Sequence, residues 1–173
     1  MIKRESRIVK QQFNNGATVD EETIDLTQFV EGTDGISVIR TKEAMGGDNF
    51  RGWNGIKYKA GLSAKNVSAQ KLSMNVATVA PGACAYAHIH DGFELMLYIM
   101  EGKVRHIFGE GLKHTVDNEA GDFLYIEPGC PHEVYNLSDT EPVIAVVARS
   151  DANEWQKIVP YPSERRDKDG VHE

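Results

Sequence analysis

A chain of 173 residues fits one domain with additions better than two. At that size about 68–70% of the unfolded surface is buried on folding, so a proper core is available. A net charge of −7, from 19 basic and 26 acidic residues, disfavours nucleic acid and anionic membrane as partners, and no stretch approaches the roughly 18 apolar residues of a membrane span.

The first residues, Met1 to Arg7, carry charge with no apolar run behind them, so no signal peptide is expected. Cys84 and Cys130 are the only cysteines. Two thiols in a chain this long make no disulfide framework, and a reduced, cytoplasmic protein is the simpler expectation.

Residues 1–20 are polar, with a turn at Asn14-Asn15-Gly16. Thr18 to Val30 reads equally as a short helix or, in part, as a strand. Thr33-Asp34-Gly35 is a turn before a strand over Ile36–Arg40. Trp53, in the loop after Gly46-Gly47, is a candidate lid on the core or on a pocket.

From Ile56 onward, strands follow one another: Ile56–Ala60, Leu72–Val79, Ala83–His90, Phe93–Met100, Val104–Phe108, Leu112–Val116, Phe123–Ile126, His132–Asn136 and Val143–Arg149. Leu72, Met74 and Val76 share one face of theirs. Turns arrive every eight to twelve residues, the pattern of an antiparallel sandwich or barrel. Asp151–Trp155 reads as a helical turn, and Ile158–Tyr161 as a segment that packs back. Residues 163–173 are charged, with one apolar residue, and predict a loose tail.

Two stretches carry chemistry. In the first, His88 and His90 lie two apart on a predicted strand, so both project from one face. Imidazoles so placed suit zinc, iron, copper or nickel, and Glu94 is a carboxylate at hand to complete a common ligand set. In the second, Pro128-Gly129 and Pro131 form a rigid corner from which His132 opens the next strand, a way to aim a third imidazole across a barrel. His106 shares a face with Val104 and Phe108; a pocket acid or base and a packed histidine are both readings of it. Cys130 could line the pocket or be an inert buried thiol. Tyr86, Tyr98 and Tyr125 read as core. Arg105 and Arg149 could bind an acidic substrate or be surface charges.

These stretches resemble the two signature motifs of the cupin superfamily, small antiparallel barrels of the double-stranded β-helix type. The first runs Gly82, His88-Ile89-His90, Glu94, Gly102; the second runs Gly121 through Pro131-His132 to Asn136. The resemblance covers roughly residues 70–150 and implies one all-β, jelly-roll-like barrel over residues 61–162. Residues 1–60 would be added strands on it, with 163–173 as a polar tail. It also implies a metal site of His88, His90, Glu94 and His132, and often a homodimer.

Two departures stand out. Seven residues separate Glu94 from Gly102 where the family has about six. That slip turns Leu95, not Glu94, toward the site unless a bulge intervenes; Glu94 then orients a ligand histidine instead of binding the ion. In the second motif Glu127 stands where a proline is usual.

The implied function is a divalent-metal barrel (iron, zinc, nickel or manganese) acting on a small molecule. Iron would favour dioxygenase-like chemistry; the others would favour isomerase, lyase or hydrolytic chemistry. A non-catalytic barrel that holds a ligand, of sensor or storage type, is the alternative. Ligand histidines must be neutral, so occupancy is expected to fall below their free pKa of about 6.5.

Overall fold

The computed structural model describes residues 30–31, 35–39, 51–53, 56–153 and 157–171. The expectations for residues 1–20 and for Trp155 fall outside these residues. Trp53 lies on a strand, but its side chain is also outside the description.

A short pair, β1 (Val30–Glu31) and β2 (Val38–Ile39), forms a small antiparallel ladder. The remaining strands are β3 (Arg51–Trp53), β4 (Ile56–Leu62), β5 (Ser73–Val79), β6 (Cys84–His90), β7 (Leu95–Glu101), β8 (Lys103–Phe108), β9 (His114–Glu119), β10 (Phe123–Ile126), β11 (His132–Asn136), β12 (Val143–Arg149) and β13 (Ile158–Pro160). They build two antiparallel sheets. One has the order β10-β7-β12-β5-β4-β3, the other β13-β6-β11-β8-β9. This is the all-β, jelly-roll-like barrel that the sequence predicts.

Alternation decides what the barrel encloses. On β12, Val143, Ala145 and Val147 face inward, opposite Val79, Ala77 and Asn75 of β5. On β7, Leu95 and Ile99 are buried while Met96, Tyr98 and Met100 are exposed. The turn from β7 to β8 needs a glycine: at Gly102 φ is +87°, and an added Cβ would meet the Pro142 carbonyl oxygen at 2.6 Å.

The face shared by Leu72, Met74 and Val76 is the outer one: Leu72 and Met74 are exposed, while Ser73, Asn75, Ala77 and Val79 turn inward. Two expectations change. Tyr98 and Tyr125 are likewise on the outside, 38% and 49% exposed, and the Tyr86 hydroxyl also points away from the barrel, to Asp169. Second, the tail folds: Ser163 caps a short helix, α2 (Glu164–Lys168), by accepting from the Arg166 amide. The other short helix, α1 (Ala64–Val67), carries a Ser63–Asn66 capping box.

The most consequential irregularity is in β6. His132 pairs with His88, but Val134 pairs with Ala85, so two steps on β11 face three on β6. The extra residue is a β-bulge at Tyr86-Ala87. Ala85 lies in the core on one side of it, and beyond it His88 and His90 turn inward instead of Ala87 and Ile89. The bulge is clamped from outside. Ala87 N–H donates to Glu133 Oε1 at 3.2 Å, and the Ala87 carbonyl accepts from Tyr161 N–H at 2.9 Å and Arg166 Nη2 at 3.1 Å.

Candidate metal centre

His88 and His90 come from β6, and His132 from the head of β11 directly across the ladder. The corner before His132 is tied to the same place, because Gly129 N–H donates to the His90 carbonyl at 2.8 Å. Ring centroids are 4.3 Å apart for His88–His132, 4.9 Å for His88–His90 and 5.0 Å for His90–His132. One nitrogen from each ring lies within 4.8 Å of the other two. All three residues are buried, at 3–4% exposure.

The surroundings fit a metal ion. His88 Nδ1 is 2.8 Å from the Tyr86 carbonyl, and His132 Nδ1 is 3.0 Å from the Cys130 carbonyl. A carbonyl only accepts, so each Nδ1 carries the proton and each Nε2 keeps its lone pair, the tautomer a metal needs. His90 Nδ1 is buried with no hydrogen-bond partner.

Burial holds all three rings in the neutral form. Desolvation and the neighbouring His132 push His90 down to about 2. Desolvation, then His132 and His90, push His88 well below the ordinary histidine value. Desolvation lowers His132 too, with the Cys130 carbonyl opposing it. Protons therefore compete for these nitrogens far more weakly than for a free histidine. This moves the expected acid loss of an ion to a pH below 6.5, the ordinary histidine value.

Glu94 is not brought to the cluster. It precedes β7, is exposed, and accepts from the Tyr125 hydroxyl at 3.0 Å on the outer side. Leu95, 4% exposed, holds the inward position beside the imidazoles. Leu95 through Tyr98 pair in step with Ile126 through Phe123, which keeps Leu95 on the inward parity of Leu97 and Ile99 and Glu94 on the other; β7 has a register shift further on, where Ile99 and Glu101 face Ala145 and Ile144. Nor does Glu94 touch a ligand ring to orient it.

The trio opens on a cavity of about 60 Å³ between the sheets, lined mostly by apolar side chains. His106 lines it as well, 3% exposed, and is held down to about 4 by burial and by His132, with Asn118 opposing. Cys130 packs half-buried against the core, and Cys84 is a second free thiol. Arg105 is a surface residue, bidentate to Asp117 at 2.7 Å for both bonds.

Three more residues lie in or behind the cavity wall: Asn75 and Tyr58, which were not singled out from sequence as functional, and Arg149, for which an acid-binding role and a surface position were both open. Arg149 is 2% exposed; its Nη1 donates to Asn75 Oδ1 at 3.1 Å, and its guanidinium lies 5.8 Å from the centre of the Tyr58 ring. Burial pushes the Tyr58 hydroxyl up to about 12, with Arg149 acting against it. Alternation carries the signal for each: Arg149 shares the parity of Val143, Ala145 and Val147, Asn75 that of Ala77 and Val79, and Tyr58 that of Ile56.

The comparisons with known proteins agree with this barrel. Residues 75–149 match the family description of the cupin domain. Oxalate decarboxylase from Bacillus subtilis is similar in structure at 25% identity and a TM-score of 0.55, over 66% of this chain and 29% of that one. A Cupin 2 conserved barrel domain protein from Salinispora arenicola CNS-205 is similar at 25% identity and a TM-score of 0.51, over 61% and 83%. An oxalate oxidase shares the fold at 24% identity and a TM-score of 0.52, over 69% and 67%. No curated protein matches the sequence. The resemblance seen in the two motifs therefore holds over residues 75–149, which match the cupin domain, and three buried histidines of that stretch could hold a metal ion. The chain spans only 29% of the length of the oxalate decarboxylase it resembles.

Proposed function

We propose that this chain is a metal-dependent cupin enzyme acting on a small molecule, with oxygenase-type chemistry as the favoured reading. One observation carries it: three neutral imidazoles within 4.8 Å of one another, facing a mostly apolar cavity between the sheets. His88, His90 and His132 would hold a divalent ion, of iron, zinc, nickel or manganese. Bound there, an ion with three uncharged ligands keeps its full charge and open positions, which supplies Lewis acidity and, for iron, dioxygen chemistry.

The chain's own residues do the rest. The Tyr86 and Cys130 carbonyls hold the His88 and His132 rings in the ligand tautomer. Leu95, Ile99 and Val147 line the cavity and keep water from it. His106 and Arg149 supply polar groups for a bound molecule. The likeness to an oxalate decarboxylase and an oxalate oxidase supports small organic acids as substrates to test, although fold alone fixes no reaction. We also read the protein as a cytoplasmic homodimer, on its two free thiols and an apolar outer face.

The test is oxygen uptake by iron-loaded protein, purified without a metal-affinity tag, over a panel of small acids and diketones. Uptake with product formation, abolished in His132→Ala, is the expected result. Saturable binding of a metabolite by fully loaded protein, with no turnover of any panel member, would replace the enzyme with a ligand-holding barrel.

A further inference from the structure

We propose that residues 157–171 form a positioning strap, and that its docking on the back of β6 is coupled to metal binding by the imidazoles in front. The inference rests on the metal-centre reading above and adds what sets the geometry of that site from outside. These residues lie beyond 75–149, the stretch that matches the cupin domain.

The strap runs along the strand that carries two of the ligands. β13 pairs with β6 in the register Ile158 to His90, Val159 to Ile89 and Pro160 to His88. Asp91 N–H donates to the Lys157 carbonyl at 2.8 Å, and Tyr161 N–H to the Ala87 carbonyl at 2.9 Å. Beyond β13, α2 holds the bulge. Arg166 Nη2 donates to the same Ala87 carbonyl at 3.1 Å, and the Tyr86 hydroxyl donates to Asp169 Oδ2 at 3.0 Å. Ser163 Oγ donates to the Glu133 carboxylate, which also accepts from Ala87 N–H. In the five-stranded sheet β13 lies outside β6, so undocking the strap makes the ligand strand the sheet's edge. The bulge then loses the partners that fix where His88 points.

Few buried groups hold the strap. Ser163 and Arg166 are buried, but Lys157, Val159, Glu164 and Asp167 are exposed. A segment held mainly by hydrogen bonds to one strand opens at a lower free energy than a barrel core. A metal ion needs His88, His90 and His132 in one geometry, which the docked strap supports, so it binds the docked state more tightly. Linkage makes the effect mutual: a loosened strap weakens metal binding, and bound metal closes the strap.

The experiment is hydrogen–deuterium exchange of the full chain, read by mass spectrometry with and without zinc, alongside zinc affinity measured by competition with a chelator. Saturating zinc should slow exchange of the 157–171 amides about tenfold or more. Ser163→Ala should weaken zinc binding roughly ten- to hundredfold and change the visible spectrum of bound cobalt(II), and Ser163→Thr should recover most of both. Asn66→Ala, which opens the capping box of α1 beside β4, should lower the thermal midpoint and leave both unchanged. Strap amides indifferent to zinc, a folded Ser163→Ala with wild-type affinity and cobalt spectrum, or a loss as large in Asn66→Ala would each overturn the proposal. If Ser163→Ala fails to fold, the exchange of the wild type decides. Metal binding without this coupling overturns the strap alone, while a wild type that binds neither zinc nor cobalt overturns the metal reading and the strap with it.

Discussion

His88, His90, His106 and His132 are each 3–4% exposed and therefore titrate together with folding. In the unfolded chain each has a pKa near the ordinary 6.5. In the folded protein burial holds His106 at about 4 and His90 at about 2, and lowers His88 and His132 as well. Below 6.5 the unfolded state takes up protons that the folded state refuses, so stability is whole above that pH and is lost as the pH falls toward the folded values. The thermal midpoint of metal-free protein should be level above about pH 7 and should drop between about 6.5 and 4. A midpoint that stays level across that interval would mean the four imidazoles are not buried neutral. Bound metal should move the onset of the drop to lower pH, because it occupies the same nitrogens. At this scale the sequence was readable where spacing alone decides. His88 and His90 two apart, and His132 after a proline corner, were enough to find three of the candidate ligands. Leu95 against Glu94 was not settled by counting residues to Gly102, because a register shift between Ile99 and Glu101 of β7 lies within that count. Arg149 was left among possible surface charges because its type argues for the surface, while its place in the Val143, Ala145, Val147 series argues for the interior.

At the scale of elements, the aim of the site depends on the bulge in β6 and on what clamps it. Glu133, 3% exposed, faces away from the cavity. Its carboxylate accepts from Ala87 N–H at 3.2 Å, from Ser163 Oγ at 2.8 Å and from the Tyr135 hydroxyl at 2.6 Å. Removing it strands buried donors at about 1–3 kcal/mol each, and it frees the segment that turns His88 inward. Glu133→Ala should lower the thermal midpoint and weaken metal binding roughly tenfold or more, the range seen when partners behind a ligand are lost. Unchanged metal affinity in a folded Glu133→Ala protein would show that the clamp does not set the geometry of the imidazoles. None of this clamp was legible beforehand. A bulge leaves little trace in a strand's composition, and residues 163–173 look solvated until Ser163 and Arg166 are seen to pack on β6. The strand series itself was legible, because turns with glycine and proline separate alternating runs at regular intervals.

At the scale of the whole molecule, the outer face of the six-stranded sheet is the feature that one chain leaves unexplained. Met74, Met96, Met100 and Phe123 point outward there, at 48%, 55%, 48% and 80% exposure. A contiguous apolar patch of this kind usually marks an association surface. The homodimer reading predicts a solution mass of twice 19.2 kDa, reduced to one chain by Phe123→Glu with metal content unchanged. A wild-type protein that runs as a single chain at micromolar concentration would contradict it. The cavity between the sheets follows from packing, but its polar lining does not follow from hydrophobic pattern. Polar residues on an inward face, such as Asn75 and Arg149, are legible only once the two sheets are closed on each other.

The central claim is that His88, His90 and His132 form one metal site. The most direct measurement is the metal content of tag-free protein by elemental analysis, for the wild type and for His88→Ala and His132→Ala. The account predicts about one ion per chain in the wild type and loss of that ion in each variant, since two imidazoles no longer close the set. Full retention of metal in both variants, with the fold intact, would contradict it.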